Sequence, residues 1–264
     1  CVLADTLSQW ADAGYARPDE LGLTEAWTAT LAYTFQLYFD FSGYCDMAMG
    51  AARFFNVRLP VNFDSPYRAV DIQDFWRRWH ITLSRWLRDY IYIPLGGNRG
   101  GDMLTVRNVV LTFLLGGIWH GAGWGFVLWG ALHGCASGVH RLWSAAGRKL
   151  PPLAGWALTF AFVHCAWVPF RAPDLASAGA MFRSMAGRHG ITTGVLPNDG
   201  WQMVLVAGVI AFLLPNANAV VTGWHEGQGL LYRPWAAVGI GLLLAVGLTA
   251  MLMVSESPFL YFNF

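Results

Sequence analysis

Apolar runs about twenty residues long alternate along this chain with short polar breaks, a pattern that predicts helices able to cross a bilayer. Such a helix needs about 20 mostly apolar residues. Six stretches approach that length: 26–50, 104–120, 124–143, 153–170, 201–221 and 235–254. The intervening segment 51–103 reads differently. Over Asp74–Ile91, residues Phe75, Trp76, Trp79, Leu83, Trp86 and Tyr90 fall at helical spacing on one stripe, and Arg77, Arg78, Arg85 and Arg88 cluster opposite. The periodicity predicts one amphipathic helix lying at an interface, with its arginines among headgroup phosphates. Pro94, Gly96 and Gly97 end it.

Charge sets a direction. Segment 51–103 holds eight of the seventeen Lys and Arg residues, so the positive-inside tendency places it on the cytoplasmic side. Alternation then puts 144–152 and 222–234 on that side, and 171–200 and the C-terminus outside. Composition agrees with a membrane setting: 55% of residues are hydrophobic and 12% charged, against about 25% charged in soluble domains. Fourteen tryptophans and nine tyrosines suit headgroup depth. A net charge of +1 carries no electrostatic footprint for nucleic acid. Cys1, Cys45, Cys135 and Cys165 are widely spaced without a CxxC pair and imply neither a disulfide framework nor a metal knot. The expectation is an all-α, polytopic membrane protein with one domain over 1–264. Its first residue, Cys rather than Met, suggests an N-terminally incomplete piece of something longer.

Several histidines sit in or beside the apolar runs. His120 follows Leu104–Trp119 and precedes Gly121, Ala122 and Gly123, so it is expected where a helix breaks in or near the membrane. Desolvation keeps such an imidazole neutral and proton-accepting, which suits a general base; a structural hydrogen bond to a neighbouring helix is the alternative. His80, at the edge of the aromatic stripe, is the second candidate, to hold substrate or stabilise charge, unless it is simply wetted by headgroups. His133, His140 and His164 raise a haem or metal site, but no acidic or cysteine partner shares a ligand spacing with them, and no metal is expected. The loop Pro94–Gly101 could cradle phosphates or be a plain turn. Asp40 and Asp46 interrupt an apolar helix and call for partners, with the arginines of 51–103 the obvious ones.

Three stretches, QLYFDFSGYCDMAMGAARFFNVRLPVNFDSPY, DFWRRWHITLSRWLRDYIYIPLGGNRGG and LGGIWHGAGWGFVLWGALHG, together resemble the membrane-bound O-acyltransferases. The likeness is greatest to the bacterial branch that acetylates alginate and transfers D-alanine in teichoic acid synthesis, and the ending SPFLYFNF is also similar. The resemblance implies a helical bundle with re-entrant and amphipathic helices around a central tunnel, in the bacterial inner membrane. It implies that His120, in the WHG motif, is the catalytic histidine and that His80, in RRWH, is the second characteristic position. It further implies a cytoplasmic acyl thioester donor such as acetyl-CoA, no tightly bound cofactor, and an acceptor hydroxyl on an exported polysaccharide or a partner acyltransferase. Charge and position add Arg77, Arg78, Asn98, Arg99 and Trp119 as candidate substrate contacts. A non-catalytic subunit that exports the acyl group or polymer is the competing reading.

Overall fold

The helix Asp102–His120 wears its pattern inside out. Its polar Thr105, Asn108 and Thr112 are buried, at 2%, 1% and 7% exposure, while Leu104, Leu111, Leu115 and Ile118 face outward. Hydrocarbon around a helix rewards that arrangement, because backbone and side-chain polar groups must then find partners inside the protein. The three polar residues do so: Thr105 and Thr112 donate to the carbonyls of Gly101 and Asn108, and Asn108 Nδ2 donates to the Gly97 carbonyl at 3.0 Å.

The computed structural model describes residues 2–197 and 199–225, with short helical stretches at 238–239, 241–242, 245–247 and 249. Among the described residues the regular structure is helical: α1 (Val2–Ala16), α2 (Leu23–Phe54), α3 (Ile72–Arg78), α4 (Ile81–Leu87), α5 (Asp102–His120), α6 (Trp124–Ala145), α7 (Pro152–Arg171), α8 (Leu175–Met185), α9 (Gly200–Leu213) and α10 (Ala217–His225). Of these, α5 and α7 are long and apolar enough to cross a membrane. Four expected spans correspond to α2, α5, α6 and α7. The fifth, 201–221, is two helices: Pro215 cannot continue α9, and Leu214 before it is extended at φ −84°, ψ 148°. The 171–200 segment, expected as a loop, contains α8, capped by Asp174 accepting from Ser177 N at 2.7 Å. The sixth span, 235–254, and the C-terminal SPFLYFNF lie largely outside the described residues.

The expected single helix over Asp74–Ile91 is also corrected. It breaks at Trp79–His80 into α3 and α4, and a π turn follows at Arg88–Tyr92. Phe75 and Trp79 enter the core, at 1% and 4% exposure, whereas Trp86 and Tyr90 stay outside at 47% and 69%. One stripe became two because the break rotates the second half about the chain.

Helices α5 and α6 pack closely along a glycine seam. A Cβ at Gly130 would lie 2.4 Å from the Phe113 carbonyl oxygen, and one at Gly134 2.9 Å from Val110 Cα. Glycines four apart let two backbones touch, which in a membrane replaces the missing hydrophobic drive with dispersion contacts. At the other end of the bundle Glu25 ties the start of α2 to the 193–196 loop. Its carboxylate accepts from Gly22 N, Thr193 N and Oγ1, Val195 N and Leu196 N, at 2.6–3.2 Å. Burial raises the Glu25 pKa, but these donors outweigh it and hold the carboxyl down at about 2.

Gly130→Val should destabilise the protein by about 1–3 kcal/mol through overpacking of this seam. Thermal unfolding of the full-length protein in detergent checks it, and an unchanged midpoint would contradict the close approach.

Candidate active site

Two breaks in helical structure bring two histidines to one place. The first is at His80, whose backbone is left-handed at φ 42°, ψ 56°. A non-glycine residue holds that conformation only when its surroundings over-determine it. Here Asn62 does so. Its carbonyl oxygen accepts from Ile81 N at 3.0 Å, and its side-chain Oδ1 accepts from Thr82 N at 3.1 Å and Thr82 Oγ1 at 2.9 Å. The same Oδ1 lies 3.1 Å from His80 Nδ1. Because the Thr82 N–H can only donate, the atom facing His80 is the amide oxygen, and Nδ1 must carry the proton. Nε2 is left as the basic nitrogen.

The second break ends α5 at His120. Gly121 follows at φ 160°, ψ 170°, and α6 starts at Trp124. The His120 ring is packed edge-on against Trp129 and Phe170, each with centroids 5.2 Å away. Both imidazoles line one cavity, walled by Phe41, Trp76, Trp79, Trp129, Trp167 and Phe170. It closes down to about 20 Å³, room for one water. Burial in this aromatic setting pushes the His80 pKa down to about 4, and the neighbouring His120 adds to the effect.

The other candidates are dispersed. Arg77, Asn98, Arg99 and Trp119 are exposed and line no part of the cavity. Asn98 Oδ1 accepts from the Tyr92 hydroxyl. Arg78 is occupied, its Nε on Asp74 Oδ1 at 2.8 Å and its Nη1 on Asp64 at 3.9 Å. The expected arginine partner of Asp46 is not present among the described residues; Asp40 is buried at 8% exposure. His164, raised as a metal ligand, is structural: its Nδ1 bonds Thr34 Oγ1 at 2.8 Å and its ring stacks on Trp27. Asn62 is the functional residue missed by reading the sequence. The signal available was its place in LPVNFDSPY, inside one of the resembling stretches, but nothing local ties it to a histidine eighteen positions on.

Two imidazoles thus line one small aromatic cavity in a helical bundle whose α5 turns apolar side chains outward. Comparison with known proteins gives the class. The model of the membrane-bound O-acyltransferase family matches residues 2–172, and the chain belongs to this family. It is 43% identical to a protein named peptidoglycan O-acetyltransferase from Helicobacter pylori, over 100% of this chain and 54% of that protein. It is 49% identical to one named "Probable alginate O-acetylase" from Azotobacter vinelandii, over 99% of this chain and 59% of the relative. A teichoic acid D-alanyltransferase of Bacillus subtilis is 31% identical over 50% of this chain and 35% of its own length. The chain thus spans a little over half the length of the first two relatives.

Asn62→Leu should cut activity about 10–100-fold while leaving protein amount near normal, since it removes the partner that orients His80 without touching substrate. Equal activity would detach Asn62 from the site. The acid limb contributed by His80 should have its midpoint near pH 4, not near the ordinary 6.5. Above about pH 5 the ring is neutral and accepts a proton; below about pH 4 it is charged and cannot. A rate profile between pH 3.5 and 8, checked for reversal at neutral pH, reads this directly.

Proposed function

We propose that the chain is the catalytic part of a membrane-embedded O-acyltransferase of the bacterial inner membrane. It moves an acetyl group from a cytoplasmic thioester, acetyl-CoA or a similar donor, toward a hydroxyl. That hydroxyl belongs to an exported polysaccharide of the alginate kind or to a partner acyltransferase. The observation that carries this reading is that His80 and His120 line one small aromatic chamber. The names of the relatives support the acetyl group and the polysaccharide.

In the reaction, His120 takes the proton from the acceptor hydroxyl as its oxygen attacks the thioester carbonyl. The carbon–sulfur bond then breaks, and the departing thiolate receives that proton. General-base assistance of this kind is worth roughly 10²–10⁴ in rate. His80, held by Asn62, lies on the same chamber to orient the acceptor. Donation to the developing oxyanion, which often supplies the largest single stabilisation, falls to His80 only when its Nε2 is protonated. The exposed Arg77, Asn98 and Arg99 are the groups offered to the donor's phosphates at the surface, and Trp119 is exposed beside His120.

The test uses the full-length protein in proteoliposomes with radiolabelled acetyl-CoA. Label should reach an external polysaccharide or partner protein with wild type, and His120→Ala should lower that transfer by roughly 10²-fold or more. Equal transfer by both would make the chain a conduit, with bond formation done by another protein.

A further inference from the structure

Beside the chamber lies a buried histidine that the reaction does not use. His133, on α6, is 0% exposed. It is ringed by Phe75, Trp76, Phe113, Trp129 and Phe162, with centroids 4.8–6.2 Å away. Its Nδ1 accepts from the indole Nε1 of Trp76 at 3.2 Å, so the ring proton is on Nε2. That nitrogen is buried without a partner. A buried imidazole with one unsatisfied N–H is costly, and an apolar side chain of similar size would be cheaper there. What the imidazole supplies, and an apolar residue cannot, is an acceptor for Trp76.

Trp76 is a wall of the chamber that holds His80 and His120. It also packs on Phe113 of α5, with centroids 4.9 Å apart, and Phe113 in turn stacks on His133. The indole is therefore held by a hydrogen bond to α6 and by a neighbouring ring of α5. The chamber that it closes has room for one water. Any acyl group seated beside His120 must displace wall atoms, and each added methylene must displace more.

We infer that Trp76, latched by His133, is the specificity-determining wall of this chamber and favours short acyl groups over long ones. This rests on the acyl-transfer reading above. His133 acts through Trp76 and is a positioning residue. A short hydrophobic pocket distinguishes one methylene by roughly 10–200-fold, so the wall is sufficient to separate acetyl from longer chains.

The experiment compares acetyl-, butyryl- and hexanoyl-CoA as donors for the full-length protein in proteoliposomes, reading kcat/KM for each. Wild type should prefer acetyl to hexanoyl. Trp76→Ala should narrow that ratio at least about tenfold by raising hexanoyl transfer. His133→Leu, which fills the volume but offers no acceptor, should narrow it in the same direction. His133→Gln, whose Oε1 can accept from the indole, should restore the wild-type ratio. Trp76→Phe replaces Trp76→Ala if the latter does not fold. An unchanged ratio in the Trp76 variant and in His133→Leu overturns the inference, as does a His133→Gln ratio matching His133→Leu. A wild type that transfers none of the three acyl groups overturns the acyl-transfer reading itself, and the inference with it.

Discussion

An imidazole removed from water needs a partner on at least one ring nitrogen, because it has lost the solvent that would otherwise serve both. Much of this fold is arranged around that constraint. His80 is held by Asn62, His133 accepts from Trp76, and His164 bonds Thr34 at Nδ1 while Thr30 Oγ1 lies 3.4 Å from Nε2. Each partner comes from a different element than the histidine it serves. The bonds therefore fix not only ring tautomers but also the mutual placement of α2, α3, α6, α7 and the 62–65 segment. His120 differs in its surroundings: its ring is packed against Trp129 and Phe170.

The second constraint is the apolar surroundings. Outward-facing leucines and inward-facing Thr105, Asn108 and Thr112 on α5 reverse the usual soluble pattern, and the glycine seam with α6 lets that inward face close tightly. Because α5 ends at His120 and α6 begins four residues later, the seam also sets where His120 points. The position of His120 is thus fixed by backbone contact, a stiffer device than side-chain packing alone.

Much of the architecture was legible from hydropathy. The limits of α2, α5, α6 and α7 fall within a few residues of their apolar runs, and α5 and α7 have the length and hydropathy to cross a bilayer. His120 was legible as a helix end because glycines flank it. The α3–α4 break was not, since the Phe75–Tyr90 periodicity is satisfied by one straight helix, and the strain at His80 is stabilised by Asn62, far from the window in which periodicity is read. The α9–α10 break was missed although Pro215 announced it, because the apolar run continues on both sides. Helix α8 went unseen for the opposite reason: its short length and its Ala, Gly and Ser content resemble a loop.

The sequence by itself determined which residues are apolar enough to form the bundle, where glycines permit close approach, and that His80 and His120 occupy the motifs of an acyltransferase-like chain. Those are local properties, set by composition, spacing and backbone preference. Only the tertiary structure decided that the two histidines share one chamber, that Asn62 orients the first of them, and that Trp76 is pinned by His133, a residue 57 positions away. The physical reason is that tautomer, wall and volume are properties of contacts between elements, and contacts over such separations leave no periodic trace in the chain.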